Sequence, residues 1–267
     1  MIWEIFAQNA SAYLATLGMA AVCAYLGLFT VLRRIVFMGV ALAQLAACGV
    51  AAAFFAAGAG VLPAGLVAVI ERYGATAGSL GASLGGALLL APGGRQRVSP
   101  DAKVGMVYSA SAAVAALLVW RSPQGLAELR NILAGEVLLA QGSELVSMWV
   151  GLAAVVALHV VYRERFLLVS YDPEFAGSLG LPTRRLQLLF LGSLAVAVAL
   201  ALKAGGLLLV FSYLVLPPVA GLLLGGTLAT STRSAVSCAL AGSLLGFVVA
   251  IHQDLPVAPS IATTLLV

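Results

Sequence analysis

The sequence predicts an all-α fold: a single polytopic transmembrane helical bundle over residues 1–267, with about 8–9 spans and one short helix outside the hydrocarbon. Three observations predict it. Of the 267 residues, 62% are hydrophobic and only 9% charged, where soluble domains average about 25% charged residues; mean hydropathy is +1.09. Apolar runs of about 20 residues, the length that crosses a bilayer, recur along the chain. Between two of them lies the most polar and turn-rich stretch, SYDPEFAGSLGLPTRR, at 170–185.

In chain order the spans are expected at 12–32, 35–57, 75–92, 102–120, 143–162, 186–202, 205–226 and 235–251. The last apolar run, 257–267, is too short to span alone and is expected as a partial or tilted helix. Residues 58–74, GAGVLPAGLVAVIERYG, carry Pro63 and the charged pair Glu71–Arg72, and are expected as an exposed loop with some structure of its own. The segment 122–142 is amphipathic and carries Glu128, Arg130 and Glu136, which places it at the interface or re-entering the bundle. Residues 1–11 lack a basic region, and the first apolar run ends in Arg33–Arg34 instead of a cleavage site, so no cleavable signal peptide is expected.

The basic residues set the orientation. With Arg33–Arg34 in the cytoplasm and strict alternation from there, ten of the 14 Lys and Arg residues face inside and four (Arg72, Arg121, Arg130 and Lys203) face outside. The N-terminus is then outside and SYDPEFAGSLGLPTRR is cytoplasmic. Scattered basic residues giving a net charge of +4 are not a nucleic-acid signal. Cys23, Cys48 and Cys238 lie inside apolar segments without metal-type spacing and read as small buried hydrophobes. The pairs Gly81–Gly85, Gly221–Gly225 and Gly242–Gly246 have GxxxG spacing, which lets helix backbones approach closely in lipid.

The polar interruption is built as a helix of about two turns over 173–179. Asp172 is a good N-cap, Pro173 a good first residue, and Glu174 suits the positive end of the helix dipole. Gly180 suits the left-handed residue that ends a helix, and Pro182 prevents continuation. A helix capped at both ends outside the bilayer suits docking into another protein's groove, with Asp172, Pro173, Glu174, Ala176 and Gly180 as the residues of that contact.

At this point the chain resembles a family. LLVSYDPEFAGSLGLPTRRLQ (167–187) is similar to the cytoplasmic segment F-D-P-E-x-A-x-x-x-G-L of the permease subunits of bacterial ABC transporters for divalent metals: zinc, manganese and iron. RRIVFMGVALAQLAACGVA (33–51), DAKVGMVYSASAA (101–113), NILAGEVL (131–138), GGLLLVFSYLVLPPVAGLLL (205–224) and QDLPVAPSIA (253–262) follow in the family's order. The resemblance implies a subunit of the bacterial cytoplasmic membrane that pairs with a second copy of itself. It also implies two cytoplasmic ATP-binding subunits and an extracytoplasmic substrate-binding protein. In that family the short helix is the coupling helix that fits a cleft of the ATPase.

The residues themselves agree with that division of labour. No G-x-x-x-x-G-K-[ST] occurs, and the only lysines are Lys103 and Lys203, so the chain builds no P-loop. ATP and its Mg²⁺ belong to a partner, and this chain is expected to carry no cofactor and to be no enzyme. Pro217 and Pro218 each remove a backbone donor inside a span, so carbonyls one turn earlier are freed and the helix is expected to bend. Freed carbonyls in a membrane need protein or a water-filled path, which makes Ser212, Tyr213, Pro217 and Pro218 candidates for a path lining.

The metal reading meets a departure at 39–49. The family's G-D-A-L-S-H-A-x-x-P-G supplies an Asp and a His as the expected metal-contacting pair, whereas this chain has Val40 and Gln44 there, with Ala43 for the Ser and Cys48 for the Pro. Val40, Gln44 and Cys48 remain path candidates, yet a neutral amide offers a dication no charge. His159 reads as a satisfied bundle histidine. His252, Asp254 and Glu136 are the remaining metal candidates. Three readings follow: a divalent-metal ABC permease, a permease of the same architecture for a metal chelate or small organic solute, and a membrane channel or scaffold with no ATPase partner.

Overall fold

A computed structural model describes residues 10–58, 63–91, 98–121 and 143–266. The expected interfacial segment 122–142, with Glu136, lies outside the described residues, as do Arg95 and Arg97. Every regular element described is an α-helix: α1 (Ala10–Leu32), α2 (Val36–Gly58), α3 (Ala64–Leu90), α4 (Pro100–Arg121), α5 (Ser143–Val161), α6 (Arg163–Tyr171), α7 (Pro173–Ser178), α8 (Thr183–Leu224), α9 (Leu228–Gln253) and α10 (Val257–Thr264). Five of them are long and apolar enough to cross a membrane, or six if the bent pair α5–α6 counts as one span. The expected number was higher, and part of the difference is α8, which enters that number once although it folds back on itself.

Phe190 and Leu214 would stand about 36 Å apart on a straight helix. Both instead lie against the same turn of α1. The Phe29 and Phe190 ring centroids are 6.0 Å apart, and Leu214 packs on Gly27. Midway between them, Gly206 breaks the helix at φ 73°, ψ 171°. A side chain is essentially forbidden in that region, so the reversal needs glycine. The two arms of α8 flank α1, and these three segments hold most of the buried core, including Met19, Leu26, Leu194, Ala197 and Leu209.

The reversal falls at the boundary between the expected spans 186–202 and 205–226, well before the prolines. The helix runs on through Pro217 and Pro218, and both are buried. The carbonyl that Pro218 leaves without its usual donor is that of Leu214, and it sits against Gly27, where an added Cβ would collide with it. Close backbone approach covers the freed carbonyl without a water path.

The expected loop at 58–74 is also corrected. Pro63 is extended (φ −63°, ψ 145°) and immediately precedes α3, which then runs unbroken through Gly74 to Leu90. Proline marks the start of this helix because no intrahelical N–H is required there. Gly74 stays helical where a Cβ would crowd Ile70 and Ala53. Of the GxxxG pairs, Gly221–Gly225 meets Ser231 and Ala235 at the start of α9, and Gly242–Gly246 meets Leu265 and Ile261 beyond it. Gly81 and Gly85 face open space, while the tight α2–α3 crossing is made by Gly49 on Gly78.

Gly206→Ala is expected to destabilise the detergent-solubilised chain by about 1–3 kcal/mol, the cost of forcing a Cβ into that backbone region. Gly81→Ala, with no atom within 4 Å of the new methyl, is expected to be neutral. Thermal unfolding followed by size-exclusion chromatography checks both.

Candidate functional site

The short helix α7 is held as its sequence dictates. Asp172 accepts a hydrogen bond from the Phe175 backbone N–H at 2.8 Å, and Pro173 occupies the first turn. At the other end the Leu181 N–H donates to the Ala176 carbonyl (3.2 Å) and the Gly180 N–H to the Gly177 carbonyl (3.0 Å). With Gly180 at φ 76°, this is a Schellman termination.

Ala176 was expected to face a partner, and that is corrected. It is 0% exposed and belongs to the core of its own chain, so it anchors α7 to the bundle. The outward face instead carries Phe175, 52% exposed, and Leu179, 58% exposed, with Glu174 and Ser178 beside them. Two apolar side chains four residues apart share one face of a helix. That i, i+4 pair inside an otherwise polar run was the available signal, and the sequence reading passed over it.

Around α7 the basic residues gather. The chain bends by 73° between Leu145–Val161 and Arg163–Tyr171. This bend brings Arg163 and Arg165 to the end of the bundle that also bears Arg33, Arg34, Arg184 and Arg185. A cavity of about 240 Å³ at that end is lined by Arg33, Met38, Ser170, Pro173, Gln187 and Leu191, among others. Above the bend, His159 is buried among Tyr25, Phe29, Phe166 and Phe190. Its Nε2 lies 2.9 Å from Ser193 Oγ, and that hydroxyl donates to the Phe190 carbonyl at 2.8 Å. Ser193 therefore accepts from Nε2–H. His159 Nδ1 has no hydrogen-bond partner, so the histidine expected to be satisfied is satisfied on one side only.

The path candidates divide into two groups. Ser212 is buried and donates to the Leu208 carbonyl (2.9 Å); Tyr213 is fully buried and pairs with Ser243 Oγ at 2.6 Å. Together with the buried Pro217 and Pro218, they have no surface to give to a path running between two copies of the chain. Helix packing, which the sequence leaves open, closes that site. Val40, Gln44 and Cys48 are half-buried along one side of α2, and Cys48 packs against the small cluster that Ala51 forms with Ala115 and Val119 of α4. His252 and Asp254 are exposed at the end of α9, where Asp254 takes the left-handed capping conformation (φ 54°). Among the described residues no group of three His, Cys, Asp or Glu side chains is placed to hold a metal ion.

The sequence profile of the ABC 3 transport family matches residues 6–267. The chain is 28% identical to "Manganese transport system membrane protein MntB" of Synechocystis sp., over 60% of this chain and 52% of that protein. The matches span about half the length of the first curated relatives. It is 26% identical to "Manganese transport system membrane protein MntC" of Listeria innocua, over 90% of this chain and 80% of that one. The solved structure titled "PsaBC from Streptococcus pneumoniae in complex with Fab" superposes with a TM-score of 0.82, covering 100% of this chain and 93% of that chain at 21% identity. At that identity the likeness speaks to the fold.

Because Ala176 is enclosed, Ala176→Trp is expected to lift α7 off the bundle, since overfilling a packed site costs about 1–3 kcal/mol. Phe175→Ser, at an exposed position, is expected to leave the fold intact. Hydrogen exchange of 163–185 in the isolated chain distinguishes them: it rises strongly in the first variant and stays unchanged in the second.

Proposed function

The chain belongs to the ABC 3 transport family, and on that premise we propose that it is the membrane-spanning permease subunit of an ABC transporter for a divalent metal ion of the manganese class. Two copies form the path, two separate ATP-binding subunits hold ATP and Mg²⁺, and an extracytoplasmic binding protein delivers the substrate. In this reading the end bearing α7 faces the cytoplasm, which the ten-to-four distribution of basic residues over the expected spans supports.

The observation that carries this reading is α7. A six-residue helix, capped at both ends and anchored through one buried alanine, presents Phe175 and Leu179 to solvent at the polar end of a membrane protein. Exposed apolar anchors on a rigid element are the anatomy of a docking contact. The chain has no P-loop of its own, so a docked ATPase supplies the work. Closure of that ATPase would push on α7, and the half-buried face of α2 with Val40, Gln44 and Cys48 would respond between the two copies.

A second reading keeps the architecture and changes the cargo. Val40 and Gln44 place no charge on the path face, and a bare dication buried without compensating charge is very costly. A solute already wearing its own ligands, such as a metal chelate, suits a neutral face. Glu136 is the one carboxylate among the sequence candidates outside the described residues, and as a ligand it would restore the bare-metal reading.

Two experiments test the docking role of α7 and the path role of α2. In vesicles holding the chain with its ATP-binding subunit and binding protein, Phe175→Asp with Leu179→Asp is expected to lower manganese uptake at least about tenfold, since each anchor carries about 2 kcal/mol or more of a docking contact. Membrane insertion stays normal. Wild-type uptake in that variant contradicts the docking role. Val40→Asp with Gln44→His is expected to create measurable manganese binding in the membrane dimer; unchanged binding and transport would place the path away from α2.

A further inference from the structure

Arg33 is placed where a lipid-facing arginine would ordinarily extend to the headgroups, yet it turns inward. The turn between α1 and α2 is tight. The Arg33 N–H donates to the Phe29 carbonyl (3.0 Å), Arg34 takes a left-handed conformation at φ 57°, and the Ile35 N–H donates to the Thr30 carbonyl (2.9 Å). One residue later α2 begins, so Arg33 is fixed to the base of the helix that carries Val40 and Gln44.

Its guanidinium reaches across to two other elements. Nε donates to Ser170 Oγ at 2.8 Å and Nη2 to the Phe166 carbonyl at 3.4 Å, both on α6. Ser170 Oγ itself donates to that same carbonyl, so the hydroxyl is oriented to accept from Arg33. The guanidinium carbon lies 3.9 Å from the ring centroid of Phe190, on the first arm of α8. Phe166 and Phe190 are fully buried. No carboxylate of the described residues pairs with this cation. Neutral acceptors and one aromatic face hold it, an expensive way to place a partly buried charge.

Ser170 stands two residues before Asp172, the cap of α7. The Asp172 N–H donates to the Leu168 carbonyl at 3.0 Å, so α7 continues from the last turn of α6 with no slack. Helix α2 packs mainly on α3, α4 and α8, touches α1 only near their connecting turn, and has no extensive contact to α6 or α7. The cavity of about 240 Å³ separates Met38 of α2 from Pro173. Arg33 spans the junction beside it.

We propose that Arg33 is a positioning residue that latches the docking unit α6–α7 to the base of α2, so that displacement of α7 is passed to the path helix. This rests on the docking role of α7 argued above. The planar fork suits the task, because one side chain holds two acceptors and stacks on a ring at once; a lysine ammonium holds at most part of that set.

The test uses Cys48, half-buried on α2, as a native reporter, with Cys238→Ser removing the other partly exposed thiol. In the complex with the ATP-binding subunit, the rate of Cys48 alkylation is compared between the ADP state and the ATP-trapped state. The unaltered latch is expected to give a rate that differs between states by at least about threefold. Arg33→Met, which keeps the apolar stem and removes the fork, is expected to assemble and hydrolyse ATP while the difference disappears; Arg33→Lys restores it only in part. Ser170→Ala is expected to shrink the difference, and combined with Arg33→Met to add nothing further. A rate that depends on nucleotide in Arg33→Met as it does in the parent overturns the proposal, as does a parent rate that never changes, since α2 then receives no displacement. Failure of the chain to bind the ATP-binding subunit at all appears before any nucleotide is added. It would remove the functional reading itself and the latch with it.

Discussion

Hydrocarbon offers no hydrogen bond to an exposed peptide group, and each unsatisfied one costs several kcal/mol. Among the described residues, several departures from straight helix show how the chain meets that constraint. The reversal at Gly206 uses a backbone region open only to glycine. The carbonyl of Leu214, left without its proline-removed donor, is covered by the bare Cα of Gly27. The α1–α2 turn closes its N–H groups on carbonyls of the last turn of α1. Only at the polar end, where water is available, does the chain build a helix as short as α7, and there it still caps both termini.

From that economy follows the division between core and working surface. The two arms of α8 and helix α1 hold the interior and leave α2, α4 and the α6–α7 unit around it. Tyr213 and Ser212 belong to the interior, and they hold it together through Ser243 and the Leu208 carbonyl. The face with Val40, Gln44 and Cys48 lies at the margin, which is where a path between copies would have to run. In the proposed reading, the turn at Arg33 links that margin to the end bearing α7.

Much of this was legible in the sequence because the same constraint writes it there. Apolar runs of bilayer length gave most of the helices, and the D-P-E…G-L-P pattern gave both caps of α7 with the conformation of Gly180 correctly placed. What the sequence left open depends on which faces meet. The i, i+4 pair Phe175 and Leu179 marks one face of α7, but a helix of six residues is too short for its pattern to say whether that face or the one with Ala176 packs inward. Pro63 was read as a loop residue because proline both starts helices and breaks them, and only the packing of Gly74 on α2 decides between the two. The break at Gly206 falls at the boundary between the expected spans 186–202 and 205–226, but that the two arms fold back on α1 follows from packing and not from the sequence. The departure at Val40 and Gln44 is legible in the sequence, and with it the question of the cargo.

The central claim is that α7 is the contact through which a separate ATPase drives this chain. A photo-crosslinking phenylalanine analogue at position 175, in membranes that hold the chain with its ATP-binding subunit, tests it most directly. The account expects an adduct with the mass of the chain plus that subunit, formed at position 175 and absent when the analogue replaces Trp120, an exposed side chain near the far end of α4. Adducts at position 175 with lipid alone, or with no partner while the two proteins still copurify, would contradict it.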